Sequence, residues 1–95
     1  MVHQLKIKEE YFEAIRLQNK NFEVRKNDRN FKAGDYLALN EVGDDGVETG
    51  CSMLVKVTYI LDSPDYCKEG YVIMSIKYLQ FFQAGREETK EDDPC

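Results

Sequence analysis

Apolar and polar residues alternate at the start of the chain and then change to helical spacing. Leu5 and Ile7 lie two residues apart with a lysine after each, which predicts a short, half-buried strand over residues 3–8. The apolar residues that follow form a stripe at helical spacing, and this stripe predicts a helix over residues 9–17. Asn19 can adopt the left-handed conformation that stops such a helix. The chain therefore begins with one strand and one helix.

Four further segments have the two-residue period, or the β-branched and aromatic composition, that is typical of strands. Polar turns separate them, and the Gly- and Asp-rich residues 43–50 are predicted to form a hairpin tip. Tyr59 has the same parity as Val57 and is expected to be buried with it. The predicted strands cover residues 21–26, 36–42, 53–61 and 71–82.

One helix followed by four or five strands predicts an α+β fold. Long strands in so short a chain have to close on themselves, or pack on the helix, to hide their edges. We therefore expect a small β-barrel of about five strands with the N-terminal helix packed against one end. The domain is predicted to span residues 3–82, and residues 83–95 are predicted to form an acidic, disordered tail.

Composition narrows the class of protein. The chain has 95 residues and a formal net charge of -5. No apolar run approaches the roughly 20 residues that span a bilayer, and the N-terminus lacks the apolar core of a signal peptide. We therefore expect a cytoplasmic protein without a membrane partner. Three widely spaced cysteines and a single histidine do not form a zinc-binding pattern, so no metal and no cofactor is predicted.

One segment has the opposite charge from the rest of the chain. Residues 16–32 hold six basic and two acidic residues. The two-residue period places Glu23 and Arg25 on one face of a strand and Phe22 and Val24 in the core on the other. A guanidinium held beside a carboxylate on a concave surface can bind phosphate and base edges. The same residues can also form an ordinary surface salt bridge worth about 0–1 kcal/mol.

The predicted nucleic-acid-binding residues lie in a basic groove around residues 20–29. Lys20 stands at the junction of helix and strand, where its side chain can reach across the groove. One tyrosine in a later turn is expected to be exposed and to offer a stacking surface for a base. The full set is Lys20, Glu23, Arg25, Lys26, Arg29 and Tyr66.

Short motifs along residues 3–79 carry a family resemblance. They include His3-x-Leu5-Lys6-Ile7, Lys20-x-Phe22-Glu23-Val24-Arg25-Lys26-Asn27-Asp28-Arg29 and Phe31-x-x-Gly34-Asp35-x-Leu37. Their order resembles the ASCH-type proteins of the PUA-like superfamily, in a branch found in phages and bacteria. This resemblance implies a PUA-like pseudo-barrel with RNA or a modified nucleoside as its partner. The family motif G-x-K-x-x-E-x-R falls on Lys20, Glu23 and Arg25, with Gln18 in place of the glycine.

The leading interpretation is a binding module for RNA or a modified nucleoside, with no catalytic residue assigned. The resemblance also implies an enzyme as an alternative, since some relatives are amidohydrolases that act on an acetylated cytidine with a Lys and a Thr three residues later. Here the pair is Lys20 and Glu23, and a carboxylate is a poor substitute for a hydroxyl in acyl transfer. Ribonuclease chemistry with the same two residues as acid and base is a further alternative. The third alternative is a phage-borne protein that binds a host protein.

Overall fold

A single sheet and one short helix make up the described part of the chain. The computed structural model describes residues 1–83. Within them, no helix is long and apolar enough to cross a bilayer. The elements in chain order are β1 (Val2–Lys8), α1 (Glu9–Arg16), β2 (Phe22–Lys26), β3 (Tyr36–Val42), β4 (Glu48–Leu61) and β5 (Tyr71–Gln83).

The five strands form a mixed sheet in the order β1-β3-β4-β5-β2. β1 runs parallel to β3, and the other neighbouring pairs are antiparallel. The sheet curls into a half-barrel whose two edges are β1 and β2. The predicted α+β class and the number of strands are therefore confirmed, with a sheet that curls but leaves two edges without a strand partner.

The helix and the inner side of the sheet share one hydrophobic core. Phe12 and Ile15 of α1 are fully buried, as the predicted apolar stripe requires. They pack with alternate residues of the central strands, and the Phe12 ring lies edge-on to Phe81 with 6.3 Å between centroids. The fully buried strand residues are Leu37, Leu39, Met53, Val55, Val57, Val72 and Met74.

The helix ends earlier than its pattern predicted, and a different residue reverses the chain. α1 ends at Arg16, and Gln18 takes the left-handed conformation with φ 62, where Asn19 was expected to do so. The N–H groups of Asn19 and Lys20 then donate to the carbonyl of Ala14 at 2.9 and 3.0 Å. These bonds satisfy a carbonyl in the last turn of the helix. They also fix the backbone at Lys20, from which its side chain extends.

β2 faces the opposite way from its predicted orientation. Phe22 and Val24 were expected in the core, but they are 43% and 50% exposed, whereas Glu23 is only 4% exposed. β2 is an edge strand, and its inward face lies beside β1 and not against the apolar centre of the sheet. A carboxylate is favoured there because two cations bond to it, so the apolar side chains point outward.

A bulge changes the orientation of the long strand β4. The pairing of β4 with β5 shifts between Val57 and Tyr59, and the extra residue reverses which side chains point inward. Tyr59 was expected to be buried but is 61% exposed, and Ile60 packs against the core in its place.

Both long strands also extend beyond their predicted ends. β4 begins at Glu48 and takes up part of the predicted hairpin tip. β5 includes Gln83, which the sequence assigned to the tail. The remaining residues of the predicted acidic tail, 84–95, lie outside the described residues.

A hydrogen bond between side chains links the start of β1 to the turn before β3. The His3 Nε2 and Asp35 Oδ2 atoms are 2.8 Å apart, and the His3 ring lies edge-on to Phe31. Asp35 Oδ2 also accepts the backbone N–H of Lys32 at 3.0 Å. The hydrogen bond with His3 is the main cause that lowers the pKa of Asp35, with burial acting in the opposite direction. A lowered pKa means that the ionised carboxylate contributes to stability.

The orientation of β2 can be tested with two valine variants. Val55→Ala is expected to lower the free energy of unfolding by about 2–3 kcal/mol, because it leaves a cavity at a fully buried position. Val24→Ala is expected to cost about 1 kcal/mol or less, because the side chain is half exposed. Urea unfolding of both variants checks this, and a larger loss for Val24→Ala would contradict the observed orientation.

The pH dependence of stability tests the link between His3 and Asp35. Because the folded-state pKa of Asp35 is lowered, its stabilising contribution is present above the ordinary carboxyl pKa of about 3.9 and is lost as the pH falls through the lowered value. Asp35→Asn is therefore expected to be less stable than the wild type near neutral pH, with a difference that shrinks under acid conditions. Thermal unfolding between neutral and strongly acid pH measures this, and a difference that does not change with pH would refute it.

Candidate binding cleft

Side chains from β2 and the following turn bridge the open side of the half-barrel. An edge strand leaves backbone carbonyls without a strand partner, and β1 is such an edge. Arg25 Nη2 donates to the carbonyl of Lys6 at 2.8 Å, and Arg29 Nη1 donates to the carbonyl of Gln4 at 2.8 Å. We call this gap between β1 and β2 the seam. The two arginines take the place of the missing ladder of strand hydrogen bonds.

Glu23 is the central side chain of the seam. Its Oε1 atom accepts a hydrogen bond from Lys20 Nζ at 2.7 Å, and its Oε2 atom accepts one from Arg25 Nε at 2.7 Å. The carboxylate is buried, while the two cations keep some exposure to solvent. Charge-assisted hydrogen bonds to both oxygens compensate the loss of hydration and hold the three side chains in one arrangement.

Lys20 is held from several directions. Its ammonium donates to the backbone carbonyl of Phe22 at 2.8 Å as well as to Glu23. It also lies 5.5 Å from the centre of the Tyr11 ring and 5.0 Å from that of Phe22, within the range of cation–π attraction. The lysine is therefore a fixed part of the wall and not a freely moving surface charge.

A cleft of about 610 Å³ opens over this group. Clefts that bind small molecules commonly have volumes of about 300–1,000 Å³. Among the described residues, five cations and one carboxylate line it, together with three aromatic rings. The charged residues are Lys6, Lys8, Lys20, Arg25, Lys26 and Glu23, and the aromatic residues are Tyr11, Phe22 and Tyr71.

The structure brings together four of the six predicted site residues. Lys20, Glu23, Arg25 and Lys26 all line the cleft. Arg29 does not line the cleft, and its side chain instead donates a hydrogen bond to the carbonyl of Gln4 across the seam. Tyr66 is exposed, as expected of a residue in that turn, but it does not line the cleft.

Sequence reasoning did not assign to the site two lysines and two tyrosines that line the cleft. Lys6 and Lys8 are two of the outward residues of β1, and Tyr11 and Tyr71 come from the helix and from the start of β5. The alternation of β1 already separated its lysines from the core. Only the tertiary structure shows that these lysines share a cleft with β2, because β1 and β2 are separated by three strands along the sheet.

Comparison with known proteins identifies a phage relative and a solved structure of similar fold. The chain is 36% identical over 73 residues to the "Uncharacterized 12.9 kDa protein in GpA 3'region" of Escherichia phage P2. The match covers 77% of this chain and 65% of that relative, so the chain spans slightly less than two thirds of the relative's length. The crystal structure of hypothetical protein PH0355 resembles the fold with a TM-score of 0.54. The two chains are 20% identical, and the structural match covers 83% of this chain and 100% of the PH0355 chain.

One protein family matches most of the described residues. The family described as "Domain of unknown function (DUF3850)" matches residues 2–76, from the first strand to the middle of β5. This range includes all the residues that line the cleft. The chain therefore belongs to the DUF3850 family.

Proposed function

We propose that this protein is a PUA-like module of the ASCH type that binds RNA or a modified nucleoside in the cleft. The observation that supports this most strongly is the group of five cations around one buried carboxylate, in a protein of net charge -5. A cleft lined by one sign of charge attracts ligands of the opposite sign even when the whole protein repels them. Aromatic rings beside the cations suit a base attached to a phosphate.

The cations divide into two groups with different tasks. Lys20 and Arg25 are held by Glu23, so they form a preorganised floor for a ligand. Arg25 uses two of its five N–H donors in these contacts, one to Glu23 and one to the carbonyl of Lys6, and the others are available for a phosphate or carbonyl oxygen. Within residues 1–83 the side chains of Lys6, Lys8 and Lys26 form no hydrogen bond or ion pair, so their charges are available to phosphates.

The backbone at Gln18 gives the motif resemblance some support. Gln18 stands where the G-x-K-x-x-E-x-R motif has its glycine, and its φ of 62 lies in the left-handed region that favours glycine. The turn therefore has the conformation that the motif's glycine suits, although the residue differs. The position and conformation together favour the motif assignment of Lys20, Glu23 and Arg25.

A hydrolase is the second candidate function, and one distance favours it. Lys20 Nζ and Glu23 Oε1 are 2.7 Å apart inside the cleft, as an acid and base pair would be. However, both oxygens of Glu23 already accept hydrogen bonds from cations, so neither is a free base. Binding without turnover is therefore the function that this arrangement favours.

The free lysines of the cleft allow a test that does not disturb the seam. Lys8→Ala and Lys26→Ala are each expected to weaken binding of a short single-stranded RNA several-fold at low salt. Each is also expected to reduce the dependence of log affinity on log salt by roughly 0.7, because one phosphate contact is lost. Fluorescence anisotropy with a labelled RNA at several salt concentrations measures both effects.

Lys32→Ala is the matched control, since Lys32 is exposed in the turn before β3 and does not line the cleft. Its affinity and salt dependence are expected to equal those of the wild type. An equal loss in Lys32→Ala, or no loss in either cleft variant, would refute binding through the cleft. Absence of RNA binding by the wild type would favour a protein partner.

A chromatographic assay separates a binder from an amidohydrolase. The wild-type protein is expected to leave an N-acylated cytidine intact, because Glu23 stands in place of a nucleophilic hydroxyl and is occupied by two cations. Deacylation by the wild type that is absent in Lys20→Ala would contradict this expectation. Glu23→Gln would then assign the chemistry, since it should lose turnover while it retains the ligand.

A further inference from the structure

The outer face of the sheet carries aromatic and basic side chains where β2, β5 and β4 lie side by side. In β4, the buried residues Val55 and Val57 alternate with the outward Lys56, and the bulge then turns Tyr59 outward. In β2 the outward residues alternate with the buried Glu23. In β5 they alternate with the buried residues of that strand. We call six outward residues the outer track: Phe22, Lys26, Lys56, Tyr59, Tyr71 and Lys77.

The strand pairing aligns these side chains in rows across the sheet. Phe22 pairs with Ser75, which pairs in turn with Tyr59, so the two exposed rings flank a small residue on one face. Lys26 pairs with Tyr71 two rows away on the same face, and the apolar pair Val24 and Ile73 forms the row between them. Two strand spacings separate the backbones of Phe22 and Tyr59 by about 10 Å.

The charge of this face differs sharply from that of the whole protein. The chain contains 18 Asp and Glu residues, yet none occupies an outward position of β2, of residues 56–61 in β4 or of residues 71–77 in β5. Lys56 and Lys77 pair directly across β4 and β5. Like charges in this arrangement lower stability, so the pair is unfavourable unless an anion binds there.

The outer track is continuous with the cleft, because Phe22, Lys26 and Tyr71 belong to both. We propose that the outer track binds a single-stranded nucleic acid, of which one nucleotide occupies the cleft while the strand continues over β5 to β4. This inference rests on the proposed function of the cleft. It specifies the ligand as a strand of several nucleotides, where the cleft alone would accept a free nucleoside.

Two features of the face favour a nucleic acid strand over a protein partner. Exposed aromatic rings stack on unpaired bases of any sequence, and neighbouring lysines neutralise the phosphates. The backbones of Phe22 and Tyr59 are farther apart than the about 3.4 Å between bases of a duplex strand, so bases on these rings are unstacked from each other. The cores of protein interfaces are depleted in lysine, which makes this face a poor match for them.

The experiment compares a short and a long strand on the full chain. Labelled oligouridylates of about three and about twelve nucleotides, with matching oligothymidylates, are titrated by fluorescence anisotropy. The long strand is expected to bind more tightly than the short one. Tyr59→Ala is expected to lower the affinity for the long strand about tenfold and to leave that for the short strand unchanged, because Tyr59 lies outside the cleft.

Three further variants separate stacking from structural effects. Tyr59→Phe keeps the ring and is expected to retain wild-type affinity. Tyr66→Ala removes an exposed tyrosine that lies outside both the cleft and the outer track, and it is expected to have no effect. Lys77→Ala is expected to weaken binding of the long strand while it maintains or raises the melting temperature, since it relieves the repulsion from Lys56.

The outcomes distinguish failure of the outer track from failure of the cleft. Equal affinity for short and long strands, or an unchanged affinity in Tyr59→Ala, overturns the outer track and leaves the cleft in place. Loss of long-strand binding in Tyr59→Ala with no effect of Lys8→Ala supports the outer track and overturns the cleft, because Lys8 lines the cleft and is not part of the outer track. Equal binding of RNA and DNA supports the outer track, whereas no binding of any strand overturns both.

Discussion

The gap between the two edge strands is the constraint on which the rest of this structure depends. β1 and β2 curl toward each other without pairing, so backbone carbonyls of β1 need other donors. Arg25 and Arg29 supply them, and Glu23 holds Arg25 in place. A buried carboxylate requires partners of its own, which brings Lys20 over the same position. The sheet therefore completes its edge with charged side chains and gains a cationic cleft there.

The same constraint explains why the two candidate surfaces meet. Because polar groups occupy the inward face of β2, its apolar residues have to point outward. Phe22 thus lies at the rim of the cleft and at the start of the outer track. No acidic residue occupies an outward position of β2, of residues 56–61 or of residues 71–77, and Glu23 is buried against cations, so this part of the outer face stays positive in a protein that is acidic overall. The charge distribution follows from the fold and cannot be read from the net charge.

Periodicity along the chain determined the elements of this protein and most of its core. The apolar stripe of α1, the alternation of β1 and the β-branched composition of β5 each depend on neighbouring residues alone, and each predicted its element within a few residues. The basic segment, with Glu23 among its cations, was visible in the same way and locates four residues of the cleft. These features depend only on residues that are close in sequence, so they can be predicted from the sequence.

Only the tertiary structure decided which way β2 faces and what lies opposite it. An alternating strand offers two faces, and the apolar one is expected inside unless another element supplies partners for the polar one. Here Lys20 at the helix junction is a partner of Glu23, and the Lys6 carbonyl of β1 is a partner of Arg25 across 19 residues of sequence, a separation that no periodicity records. The bulge that exposes Tyr59 likewise depends on the register in which β4 pairs with β5. The sequence by itself determined the elements and the charged segment, whereas strand order and register decided the cleft and the outer face.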